Sequence, residues 1–332
     1  MGVRPDAVTC DAATTHGWAE SSDETTMGSF SSVQAAEALQ LIRPPALGHR
    51  AAHECALALQ VGDINACYQA FAAAGSWEDR WFCLEHVASQ ELDRDLVDAW
   101  VDGWPDHPLP LLVRSAFDTL AGRDASHDLA HVLAIEPDNP LALGLQVTDI
   151  AGGGPGDIET ALGKMLAVDA LYEPHAHFLR AQGPRGNGDI ASMLAFARSV
   201  DDIVPIGSPL RAMVPLAAVE VMLAEQPDDH LACLEGYELP DAIMMAAGQS
   251  VFHPTFDGPP SVPGIKAMSA FTVALVLLQQ DDLALMLHQG LDGHFADWPL
   301  SLLCTPSTAA WNQLGQHMTD KAQHAALAGD RA

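Results

Sequence analysis

The sequence predicts an all-α chain built as a helical-hairpin repeat array, an α-solenoid, and three observations lead there. The first is a recurring proline-rich turn that precedes an apolar periodic run. It occurs at Trp104-Pro105-Asp106-His107-Pro108, Glu136-Pro137-Asp138-Asn139-Pro140, Glu173-Pro174-His175-Ala176 and Pro205-Ile206-Gly207-Ser208-Pro209. The first prolines stand at 105, 137, 174 and 205, giving intervals of 32, 37 and 31 residues, close to the period of roughly 34 of a helix-turn-helix repeat. The second is apolar spacing at i, i+3, i+4 and i+7, complete in Val113, Ala116, Phe117 and Leu120 and again in Ile158, Ala161, Leu162 and Met165. The third is the near absence of period-two alternation of β-branched residues, which leaves little room for a sheet. One hairpin cannot bury its own apolar face, so such units stack on their neighbours.

Element by element, residues 1–30 are rich in Ser, Thr, Asp and Gly without an apolar face and read as a flexible tail. The repeat domain is expected over 31–328. Ser31-Ser32-Val33-Gln34 has capping-box spacing, and the helix after it, through Ala35, Leu39 and Ile42, stops at Pro44-Pro45. A helix over Ala51 to Val61 ends at Gly62-Asp63, and the next reaches Phe71, with Gly75 as a left-handed cap. Ser76 caps the segment from Trp77. Ser208 and Pro209 read as an N-cap followed by proline at the first helical position, with a kink or early stop expected at Pro215. Ala151-Gly152-Gly153-Gly154-Pro155-Gly156 reads as a hinge or surface loop, and Ser250 to Gly264, with four prolines, as irregular. Ala267 to Leu278 is too short to cross a bilayer and reads as a helix buried on most sides.

Composition narrows the partners. Of 332 residues, 48% are hydrophobic and 18% charged, a globular mixture. Lys+Arg is 15 against 44 Asp+Glu, a formal charge of −29. Such a chain repels nucleic-acid phosphates and anionic membrane surfaces, and favours basic partner segments. The simplest use of that charge is solubility. The six cysteines form no C-x-x-C pair and no basic leader opens the chain, so a reduced, cytoplasmic protein is expected.

No catalytic constellation stands out. Gly163-Lys164 lacks the spacing of a phosphate loop and no G-x-S-x-G elbow occurs. His49/His53 and His127/His131 have i, i+4 spacing, but metal ligation wants three or four converging donors, so neither metal nor cofactor is expected. The doublets Asp201-Asp202 and Asp228-Asp229 read as solvated carboxylates at helix ends. Trp77, Trp81 and Phe82 surround Arg80, and Trp100 and Arg114 follow. Trp and Arg dominate binding hot spots, yet the i, i+4 spacing of Trp77 and Trp81 equally suits helix packing, with Arg80 paired to an acid such as Asp98.

The segments Trp77-Glu78-Asp79-Arg80-Trp81-Phe82, Leu96-Val97-Asp98-Ala99-Trp100-Val101, Glu173-Pro174-His175-Ala176-His177, Met193-Leu194-Ala195-Phe196-Ala197-Arg198 and Pro205-Ile206-Gly207-Ser208-Pro209-Leu210 occur in that order. Together they resemble a family of helical-repeat proteins of actinobacteria and related bacteria, domains of unknown function, over about residues 50–300. The resemblance implies a tetratricopeptide-like all-α fold and no activity. Two departures stand out: Gly186-Asn187-Gly188-Asp189 replaces a Trp-Gly-type turn, and Ala218 stands where relatives have His. The matched polar residues Arg80, Arg114, His177, Arg198 and Glu220 could converge on an inner face or could be buried pairs that fix repeat register. The expected function is a non-enzymatic module holding a protein or peptide segment on a concave face. The alternative is a small-ligand protein or enzyme with a polar pocket on that face, lined by His177, Arg198, Glu220 and the tryptophans.

Overall fold

The computed structural model describes residues 45–90, 94–300 and 311–321, so the expected tail and first helix lie outside the described residues. Within them every regular element is helical and no strand occurs. The helices are α1 (Arg50–Gln60), α2 (Ile64–Ala73), α3 (Trp77–Ala88), α4 (Arg94–Gly103), α5 (Pro108–Leu120), α6 (Ser126–Ile135), α7 (Pro140–Ala151) and α8 (Ile158–Leu166). There follow α9 (Tyr172–Gln182), α10 (Ile190–Ile203), α11 (Met213–Glu225), α12 (His230–Gly236), α13 (Leu239–Gln249), α14 (Val262–Leu277), α15 (Asp281–Gly290) and α16 over residues 311–321.

Local chemistry sets the helix starts. Ser76 and Asp79 form a reciprocal capping box on α3. His107 and Asn139 cap α5 and α7, each followed by proline at the first position, where its missing N–H is no loss. His49 caps α1 through Nδ1, which accepts from Ala52 N; its Nε2 therefore carries the proton and donates to Asp79 Oδ1 at 3.1 Å, tying α1 to α3. Three of the four proline-rich motifs precede helices as the sequence predicts; Glu173-Pro174-His175-Ala176 does not, because α9 already begins at Tyr172 and Pro174 sits in its first turn, where proline is tolerated.

Four local expectations are corrected. Gly75 is not left-handed; α2 stops at Ala73 with Ala74 extended. Pro215 neither kinks nor stops a helix: a 3-10 turn, Pro209–Ala212, hands over to α11 at Met213, so Pro215 sits in the first turn, where proline is tolerated. The irregular segment ends sooner than expected, because Ser261 caps α14 and Val262-Pro263-Gly264 form its first turn. Asp201 is no solvated end group, since it pairs with the buried Arg211 at 2.6 Å.

Packing sorts the helices into two layers. The inner helices follow one another as α1 on α3, α3 on α5, α5 on α7, α7 on α9, α9 on α11 and α11 on α14. Two of them are apolar nearly all round: Met213 to Met222 of α11 is buried without a break, and α14 is buried at all but two of its positions. The outer helices bury one stripe each, such as Val97, Trp100 and Val101 of α4, or Ala161, Leu162 and Met165 of α8. α14 also packs on α3, a contact beyond the nearest-neighbour pattern of a simple stack, and it brings distant parts of the chain to one place.

Gly144 in α7 makes the centre of this layer close. A Cβ there would lie 2.7 Å from the Trp81 ring and 2.9 Å from the Pro174 ring. The glycine costs α7 about 1 kcal/mol of intrinsic helix preference, and in exchange α3 and α9 approach one another across it.

Candidate functional site

That approach leaves a cavity of about 550 Å3, walled by α3, α9, α14 and the Ala296–Trp298 turn. Helical periodicity supplies the walls. Phe82, Glu85, His86 and Ser89 fall at i, i+3, i+4 and i+7 on one face of α3, and Glu173, Ala176, His177 and Arg180 do the same on α9. Lys266 comes from α14 and Trp298 from the turn.

Lys266 is the hub. Its Nζ donates to Glu173 Oε1 at 2.6 Å and to Glu85 Oε2 at 2.7 Å, with the side chain only 11% exposed. Charges this far from water are tolerated only when paired. Burial lowers the Lys266 pKa, but the two carboxylates more than offset that and hold the amine firmly protonated. Glu173 answers in kind: burial pushes its carboxyl up, while Lys266, His177 and Arg180 together pull it down to about 2. Glu85 goes the other way. Its burial outweighs the pull of Lys266, and Glu173 nearby adds to the rise, so Glu85 is the member that takes up a proton first. His177 is pushed down to about 4, by burial and then by Arg180, and is neutral at pH 7.

Arg180 completes the wall. Its Nε donates to the Ala176 carbonyl at 3.1 Å, its guanidinium carbon lies 4.8 Å from the centroid of the Trp298 ring, and Nη2 stands 3.7 Å from Glu173 Oε2. The N-terminus of α9 has no side-chain cap of its own; Glu78 of α3 provides one, accepting from Tyr172 N at 2.6 Å. The site is thus fixed to its helices from two sides.

The residues singled out from sequence are dispersed. His177 lines the cavity. Glu220 is buried on α11, paired with Arg185 at 3.6 Å and leaving Oε1 unpartnered; burial raises its pKa, with Arg185 and Arg180 pulling the other way. Trp81 and Trp100 are core. Arg80 does not meet Asp98: it lies over Trp77 at 4.7 Å, beside a smaller cleft of about 280 Å3 with Tyr68, His107 and Asn139. Asp98 instead joins Arg94 and Arg114, and Arg114 is held by Asp128 at 2.6 and 2.8 Å. Arg198 donates to the Tyr237 carbonyl at 3.0 Å in an open groove between α10 and α12. These eight residues therefore form no single surface. Lys266, Glu173, Glu85, Arg180 and Trp298 were missed, although Lys266 is the lone charge in the α14 sequence VPGIKAMSAFTVALVL, a signal that could have found it.

Among the described residues no three His, Cys, Asp or Glu side chains are placed to hold a metal ion, and no helix is long and apolar enough to cross a membrane. Cys55, Cys67 and Cys83 are free, buried thiols on α1, α2 and α3. No family model matches the chain, and no match emerges among curated proteins or solved structures.

Proposed function

We propose that the chain binds a small polar ligand in the cavity between α3, α9 and α14. One observation carries this reading: an ionised Lys266–Glu173 pair and a second carboxyl, Glu85, wall a space large enough for a small molecule. Ligand sites of about 300–1,000 Å3 combine apolar walls with a few placed polar groups, and shifted titratable groups concentrate at such sites. Phe82, Leu47, Leu120 and Trp298 are the apolar part here. The alternation of inner and outer helices supports a tetratricopeptide-like array of hairpins as the scaffold. The free thiols support a reduced, cytoplasmic setting.

The test is a thermal-shift screen of the full chain against small organic acids, amines and neutral polar compounds. At least one class raises the midpoint, and Ser89→Trp, which fills the exposed rim of the cavity, removes that rise. If no class raises it while Ser89→Trp folds normally, the cluster is a structural clasp and the ligand reading fails.

A second reading, a non-enzymatic module for a basic peptide segment, is favoured by the open groove that holds Arg198, Tyr237 and Glu238, beside which the acidic surface offers long-range attraction. Binding of an Arg/Lys-rich peptide that weakens with salt and vanishes with Glu238→Lys is its expected signature.

A further inference from the structure

The cations of the cavity occupy its aromatic faces. Arg180 lies over Trp298, and Lys266 Nζ lies 5.6 Å from the centroid of Phe82. A cationic ligand finds its favoured surfaces, ring faces, already carrying positive charge. An anion finds the opposite.

Hydrogen-bonding capacity points the same way. Lys266 is committed to its two glutamates. Arg180 uses only Nε at bonding distance, toward Ala176, and its approach to Glu173 at 3.7 Å lies beyond an ordinary hydrogen bond. Among the described residues the Nη edge of Arg180 therefore keeps donors open. His177 Nε2 stands 3.9 Å from Glu173, so it too has no close hydrogen bond there. Charge is uneven as well. Glu173 is one ionised carboxylate shared by Lys266 and Arg180, while Glu85, about a third exposed, is shifted toward its neutral form.

We propose that the ligand is a small organic carboxylate, held by the Nη edge of Arg180 with His177 beside it, its apolar body lying among Phe82, Leu120 and Trp298. This rests on the cavity being a ligand site. A guanidinium fork matches a carboxylate in two parallel hydrogen bonds, and a ring beneath it fixes the plane.

Isothermal titration of the full chain with three probes of one shape tests it: 3-phenylpropionate, 3-phenylpropanamide and 3-phenylpropylamine. The carboxylate binds about tenfold or more tighter than the amide, and the amine binds weakest. Arg180→Gln removes the preference, and Arg180→Lys, which keeps charge without the fork, restores part of it. Tighter binding of the amine or amide, or an unchanged preference in Arg180→Gln, overturns the carboxylate assignment and leaves the cavity reading standing. Binding of none of the three also overturns it, and the thermal-shift screen then decides separately whether the cavity is a site at all. Should Arg180→Gln not fold, the ranking of the probes on the unaltered chain and on Arg180→Lys decides.

Discussion

Two clusters of opposite charges lie in this molecule, and they differ in what their members leave unused. Between α4, α5 and α6, Arg94, Arg114 and Arg123 meet Asp98, Asp118 and Asp128. Arg94 reaches Asp118 with both Nη atoms and Asp98 with Nε, Arg123 adds a bond to Asp118 at 2.6 Å, and Arg114 forks onto Asp128. Arg94 and Arg114 each fork onto a buried carboxylate, and Arg123 adds a single bond at the exposed edge, so both buried acids are fully paired. The Lys266 cluster is smaller, more buried and unequal: one amine serves two glutamates, one glutamate serves three basic groups, and the outer edge of Arg180 is left over. A saturated network fixes how helices sit. An unsaturated one beside a cavity has capacity for something else.

The largest expected effect breaks the second cluster. Lys266→Met leaves the buried Glu173 and the half-buried Glu85 without their cation and costs about 3 kcal/mol in urea unfolding. The triple variant Lys266→Met, Glu85→Gln, Glu173→Gln removes every charge at once and recovers most of that loss. A single variant as stable as the parent would mean that water reaches the cluster freely.

Acid separates the two clusters next. The His177 pKa is lower in the folded chain, at about 4, than in the unfolded one, so its folded state is fully favoured above pH 6.5 and loses stability as pH falls toward 4. The loss over that window is up to about 3 kcal/mol, and His177→Gln flattens it by that amount. His175 and His288, also lowered by burial, contribute slopes that this variant retains. Asp118 of the Arg94 cluster is silent in the same window. Burial raises Asp118, but Arg94 and Arg123 hold it below 3.8, so its stabilisation is lost only as pH falls past that value.

Smaller effects test the first cluster. Arg114→Met strands the nearly buried Asp128 and costs about 2 kcal/mol, with ligand affinity at the cavity unchanged. Arg94→Lys, at a more exposed site, costs about 0.5–1 kcal/mol and less still in high salt. An affinity change in either variant would join the two regions that the structure keeps apart.

Legibility followed the range of the interaction. Ser76, His107, Asn139 and Ser208 act within three residues of themselves, and the last three stand beside the prolines that announce them. Arg114 was recognisable as important but not as closed, because its partners Asp98 and Asp128 are sixteen and fourteen residues away, on other helices. His177 was picked out for its neighbours in sequence, while its real company, Lys266 and Glu85, arrives from α14 and α3.

Sequence alone determined the all-helical character, most helix starts and the burial of the apolar run in α14, since each depends on spacing within a few turns. Only the tertiary structure decided that α14 returns to α3, with Lys266 meeting Glu85 across 181 residues. Which face of one helix meets which face of another is set by the fit of side chains such as Trp81 and Pro174 around Gly144, and no local pattern encodes that fit.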